Sequence, residues 1–252
     1  MTRPRPHPLA HAVAAALLLS CGGAAPSTAP STPTAPAAPT TPTPPAPTRI
    51  DTSWDVSMLG VPPVIQAHYI DLARIAAISR FRSGIGHDYS DDVERCRSMK
   101  HYFRPAGTDW ASVRIVSPVT GRVTRIIEEW AGTQIQIRPS AWPAFGVVLF
   151  HVATARPIAV GDSLTAGEPI GTHVGTQTTS DVAVWVTLPG QKRALVSYVD
   201  ALPDSLRAPL VARGAPRDSL VLTRAQRDAA PLACDGETFV GQDPLPGWVA
   251  LR

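Results

Sequence analysis

The sequence has little charge, little cysteine and no familiar nucleotide loop, and each shortage closes off a class of function. Only 17% of its 252 residues are charged, with 23 basic against 20 acidic. Arg3 and Arg5 fall in a leader-like segment, and removing it leaves 21 basic against 20 acidic residues. No basic stripe with interleaved aromatics occurs, which argues against a nucleic-acid partner. The Walker loop, the dinucleotide fingerprint and the Gly-x-Ser-x-Gly elbow are all missing, so the chemistries they mark are not expected. The three cysteines form no Cys-x-x-Cys, so they make a poor metal signal. No solenoid-type repeat is present. What the chain does have is apolar residues, 44% of the total, enough at this length to bury a sizeable core. It also has 27 prolines, nine of them between Pro26 and Pro47.

Residues 1–20 read as an export signal. Arg3 and Arg5 precede an apolar run from Leu9 to Leu19, about half of the roughly 20 residues that a membrane-spanning helix needs. Leu18-Leu19-Ser20-Cys21 resembles the lipobox of bacterial lipoproteins. The resemblance implies cleavage before Cys21, lipid attachment to its sulfur, and anchoring in a membrane, each buried CH₂ contributing about 0.8 kcal/mol. The protein is then expected in the bacterial cell envelope, facing the periplasm. Residues 21–49 are rich in Ala, Pro, Ser and Thr, carry no charge before Arg49, and cannot offset their ordering entropy by burial. Frequent proline favours extended polyproline II, with a reach on the order of 80 Å. This tract is expected to be a disordered tether.

From residue 50 onward the chain is expected to fold. A β domain is expected over 50–202, its core about 80–188, with a helical or loop extension over 203–252 packed on it. Val113–Val116, Gly121–Ile127, Thr133–Ile137, Gly146–Val152 and Asp181–Leu188 are rich in β-branched and aromatic residues and predict strands. Gly161-Asp162, Gly167-Glu168 and Gly171 predict turns between them. Helices are expected over Tyr69–Ile78, Asp204–Ala212 and Thr223–Ala230, with Asp204 and Thr223 as caps. The fold class that follows is mainly β, an antiparallel sheet or sandwich with peripheral helices. With Cys21 carrying lipid, Cys96 and Cys234 remain, to form a disulfide in an oxidising compartment or to stay as free thiols.

Three pieces carry a family resemblance. Gly86-His87-Asp88-Tyr89-Ser90-Asp91 supplies a His-x-x-x-Asp, and Val116-Ser117-Pro118-Val119-Thr120-Gly121-Arg122-Val123 follows it. The third, from His151 to Gly175, contains Val160-Gly161-Asp162-Ser163-Leu164 and Ala166-Gly167-Glu168-Pro169-Ile170-Gly171. In order and spacing, over about Arg80 to Leu188, this resembles the lysostaphin-type zinc endopeptidases, which have a duplicated hybrid motif fold. The glycine pattern is shared with biotinyl and lipoyl carriers, but no lysine stands on a hairpin where a carrier needs one.

The resemblance implies one zinc ion, peptidoglycan as substrate, His87 and Asp91 as metal ligands, and His151 as an auxiliary strand histidine. It also implies a later His-x-His, which falls on Asp181-Val182-Ala183. Asp181 then stands at the catalytic histidine and Ala183 at the third ligand. Alanine donates no electron pair, whereas a catalytic zinc needs three protein ligands and an open position. The expected function is therefore a lipid-anchored envelope protein whose degenerate domain binds or positions peptidoglycan or an envelope protein without hydrolysing it. The alternative is a zinc endopeptidase whose third ligand comes from Asp181, Asp88, His101 or His173, with His151 as acid/base. A third reading gathers His87, His101, His173 and Asp181 around a polar ligand. Trp110, Trp130, Trp142 and Trp185 either line a groove or fill the core.

Overall fold

The computed structural model describes residues 52–252. The expected export signal, the expected lipid-bearing Cys21 and the expected tether lie outside the described residues.

Thirteen strands follow in chain order among the described residues. The first five are β1 (Ile75–Ser79), β2 (His101–Pro105), β3 (Arg114–Val116), β4 (Gly121–Glu128) and β5 (Thr133–Pro139). Then come β6 (Phe145–Thr154), β7 (Ser163–Leu164), β8 (Pro169–His173), β9 (Ser180–Thr187) and β10 (Arg193–Val196). The last three are β11 (Ala233–Asp235), β12 (Thr238–Val240) and β13 (Trp248–Ala250). Eleven of them form one sheet whose main path runs β13-β1-β2-β9-β6-β5-β4-β7, with every strand pair antiparallel. The protein is thus mainly antiparallel β with small helices.

Burial explains the order. In β9 the first seven residues are all buried, and in β6 the first eight are, because these two strands sit mid-sheet and are covered on both faces. Nearer the edge, β4 alternates: Gly121 and Val123 are buried, while Arg122 and Thr124 are exposed. The glycine turns also have a packing reason. A Cβ on Gly171 would lie 2.1 Å from the Ala153 carbonyl oxygen, so only glycine lets β8 run this close to β6.

One helix expectation is overturned. Tyr69–Ile78 is a 3-10 turn over Leu72–Arg74 followed directly by β1, whose Ile75, Ala77 and Ile78 are fully buried in sheet pairing. Apolar residues at helix-like spacing here serve a strand with two buried faces. Helices α1 (Val56–Leu59), α2 (Asp204–Ala212), α3 (Arg217–Leu220) and α4 (Arg224–Ala229) lie outside the sheet. Thr223 caps α4 in a reciprocal capping box with Gln226. For α2 the cap position is Pro203, and Asp204 lies in the first turn, where its charge suits the helix dipole.

The C-terminal segment closes onto the same unit, which spans Thr48–Arg252. Strand β13 pairs β1 with Ala77 opposite Ala250. Cys96 and Cys234 form a disulfide, with Cα atoms 5.7 Å apart. Among the described residues no helix is long and apolar enough to cross a membrane.

Candidate functional site

One face of β2, β9, β6 and β5 is overlaid by the loop running from Ser83 to Ser98, which carries His87. This loop is held from several sides. Glu94 accepts from Arg82 at 2.7 Å and from Arg97 at 2.7 Å. Arg227, fully buried, pairs with Asp243 at 3.0 Å, and Asp243 in turn accepts the Gly84 amide at 2.6 Å. The Asp88 amide donates to the Glu237 carbonyl at 2.7 Å. Gly86 has φ +79°, and a Cβ there would meet the Tyr102 hydroxyl at 2.0 Å. A glycine is required next to His87 for both reasons.

Between this loop and the sheet lies a cavity of about 690 Å³, its wall including His87, Lys100, Glu129, Trp130, His151 and Glu237. At its base Asp181 on β9 is fully buried, and Lys100, just before β2, is 2% exposed. Their Nζ–Oδ2 separation is 2.5 Å. The Lys100 ammonium is also 3.3 Å from His87 Nε2 and lies over three rings, 4.1 Å from Phe150, 4.8 Å from Tyr89 and 5.0 Å from Tyr102. Such a desolvated cation–aromatic contact contributes about 2 kcal/mol. Burial alone would lower the lysine pKa, but the Asp181 carboxylate and the neighbouring phenols outweigh it and raise it above its usual value. Lys100 is therefore a permanent cation.

The hydrogen bonds assign His87 its tautomer. Nδ1 lies 2.9 Å from the Asp88 carbonyl and donates to it, leaving Nε2 to accept from Lys100. His151 stands where β6 gains an extra residue: Ile135 pairs Leu149, but Thr133 pairs Val152. The bulge puts His151 at φ +58°, a region L residues rarely adopt, with Nε2 at 3.4 Å from Asp181 Oδ1. Its Nδ1 is 2.9 Å from the Ala131 carbonyl, to which it donates, and 3.6 Å from Glu129. Burial raises the Glu129 pKa.

Of the residues singled out from the sequence, His87, His151 and Asp181 converge here. Asp91 does not join them. One of its carboxylate oxygens accepts the Val93 and Glu94 amides at 2.7 and 2.8 Å, and the other accepts the Leu195 amide at 2.6 Å. That carboxylate is spent on loop backbone and lines a different cavity, of about 500 Å³. Asp88 is likewise committed, to the Ser90 hydroxyl and the Arg97 amide. His101 points to the other side of β2, where Nδ1 donates to the Ser79 carbonyl and Nε2 accepts from Ser197, each at 2.8 Å. Burial pushes its pKa down to about 4. His173 is fully buried beside Trp110, with its Nδ1 accepting the Gly175 amide, and burial lowers its pKa too. The expectation that His87, His101, His173 and Asp181 gather around one ligand is thus not met.

A zinc ion does not fit these donors. Among the described residues no group of three or more His, Cys, Asp and Glu side chains is arranged to hold a metal. Continuing the β2–β9 register by one residue places Lys100 opposite Ala183, the strand position that the resemblance reserves for a third ligand. The ammonium takes the His87 nitrogen and the Asp181 oxygen that a metal would need. Sequence reading missed Lys100, although Lys100 and Lys192 are the only lysines among 23 basic residues. Glu129, Glu237 and Trp248 were missed as well, since only folding brings them to the cavity. The tryptophans divide: Trp130 lines this cavity, Trp185 lines a neighbouring one, and Trp142 packs on Trp54 and Phe145.

No family description and no curated protein matches this chain. Among solved structures it is similar to a chain from Ruminococcus gnavus ATCC 29149 carrying the name glycyl-glycine endopeptidase lytM, at 16% identity and a TM-score of 0.34. That match covers 40% of this chain and 44% of the other. It is also similar to lysostaphin as solved by NMR, at 13% identity and a TM-score of 0.30, covering 57% of this chain and 60% of that one. The chain thus spans about half the length of these two structures. Its chemistry rests on its own side chains.

Proposed function

We propose that this is a non-hydrolytic binding domain of the bacterial cell envelope, anchored by lipid on Cys21 and presented on its tether to peptidoglycan or a wall-associated protein. The observation that carries the reading is the Lys100 ammonium, 2.5 Å from Asp181 and 3.3 Å from His87 within a ring of three aromatics. A tethered ammonium supplies charge but no open coordination position, so it cannot hold and acidify a water as a divalent metal does. It neutralises Asp181 and fixes His87, and the neighbouring cavity stays shaped as a recognition surface. Two buried charges that pair within a desolvated site hold one arrangement of loop and sheet.

The test is metal content and turnover together. Residues 50–252, purified and dialysed, are expected to hold well under one zinc per chain and to release no dye from labelled cell walls. They are expected to pellet with purified sacculi. Stoichiometric zinc, lost in His87→Ala, with chelator-sensitive dye release would overturn the reading in favour of a zinc endopeptidase. For the anchor, Cys21→Ser in the full chain is expected to free the protein from membranes.

A further inference from the structure

Resting on the binding reading above, we infer that the cavity beside Lys100 takes a primary ammonium group carried on a peptide or amino-acid stem. Its charge balance sets the sign of the ligand. Lys100 and Asp181 cancel each other at the base, while Glu129 and Glu237 on the wall have no Lys or Arg partner. Glu237 is an open counter-charge at the rim, its side chain 86% exposed. Glu129 is partly buried, and its Oε2 makes no hydrogen bond. A carboxylate oxygen left unpaired in a partly desolvated place, with a second carboxylate at the rim, favours a ligand that brings N–H donors.

The aromatic lining points the same way. Trp130 is 77% exposed, in the turn between β4 and β5, its ring 5.9 Å from that of His151. A large apolar ring held out at a cavity mouth is a ready cation-binding face. Trp248, which also lines the cavity, already carries the Arg104 guanidinium, 5.1 Å from its ring centroid, so Trp130 offers the open face. The two carboxylates select an ammonium with three N–H groups over a quaternary one, which has none. A volume of about 690 Å³ leaves room for the stem that bears the amine.

The experiment compares sacculi with free amines against sacculi whose amines have been acetylated. Pelleting is expected with the first and about tenfold weaker with the second. Trp130→Ala and Glu237→Gln, both at exposed positions, are each expected to weaken pelleting by about three- to tenfold while leaving thermal melting unchanged. Equal pelleting of both preparations, or no effect of either variant, overturns the ammonium inference and leaves wall binding standing. A soluble probe separates the other failure: glycyl-lysine and its doubly N-acetylated form are titrated against tryptophan fluorescence. A response to the free dipeptide alone, without pelleting on sacculi, keeps the ammonium site and removes peptidoglycan as partner. Equal responses, or none, remove the site.

Discussion

Replacing Lys100 by methionine tests whether the ion pair organises the site. The change keeps most of the apolar stem but removes the ammonium, and with it the charge lying over Phe150, Tyr89 and Tyr102. At 2.5 Å the attraction between ammonium and Asp181 carboxylate is about 7 kcal/mol at an effective dielectric of roughly 20, before the cost of taking both groups out of water. Only a fraction survives as net stability, yet removing one partner strands the other. Asp181 is fully buried, with His151 Nε2 at 3.4 Å as its remaining cationic contact when protonated. Leaving such a charge uncompensated costs about 3–5 kcal/mol. For a unit of this size that corresponds to a fall in Tm of roughly 10 °C. The double variant Lys100→Met/Asp181→Asn removes both charges and is expected to recover to within about 1 kcal/mol of the parent. Urea denaturation of the two single variants and the double one yields the coupling energy directly. If Lys100→Met lies within about 1 kcal/mol of the parent and the second change brings no recovery, the pair does not organise this site.

Three further outcomes are expected. His101 is neutral when folded, with a pKa of about 4 against a reference near 6.5, so the unfolded chain binds the extra proton between these values. Stability from this group is complete above pH 6.5 and falls by about 3 kcal/mol as pH drops toward 4, and His101→Gln should flatten that slope in urea titrations at several pH values. Removing the Cys96–Cys234 bridge by a double serine change frees a loop of 138 residues, worth about 5 kcal/mol on the loop-entropy model, and the parent melted with and without reductant should show the same loss. Gly86→Ala places a Cβ at 2.0 Å from the Tyr102 hydroxyl at a positive φ and is expected to cost about 2–4 kcal/mol in urea denaturation.

Local chemistry was legible where a residue's partner is near it in the chain. The capping box at Thr223 depends on a residue three positions away. The turns at Gly161 and Gly167 depend on φ of +99° and +82°, and strands β4, β5, β6 and β9 on runs of β-branched residues. Each is readable from a window of a few residues. Strand β1 was not, since Ile75–Ser79 takes its identity from pairing with β2 and β13, the latter about 170 residues away. Asp91 shows the same limit in the site. His-x-x-x-Asp names two metal donors by spacing, yet the carboxylate is claimed by the Leu195 amide, more than a hundred residues on.

By itself, then, the amino-acid order determined the mainly β class and the absence of a donor at Ala183, because these follow from side-chain type, periodicity and what alanine lacks, whereas the Cys96–Cys234 bridge was one of two possibilities until the fold brought the sulfurs together. Tertiary structure alone decided what stands in for that donor. Cross-strand register brings Lys100 over Ala183 and against Asp181, and the closing C-terminal segment adds Glu237 and Trp248 to the wall. A buried charge is tolerable only beside its counter-charge, and no window of sequence contains both Lys100 and Asp181.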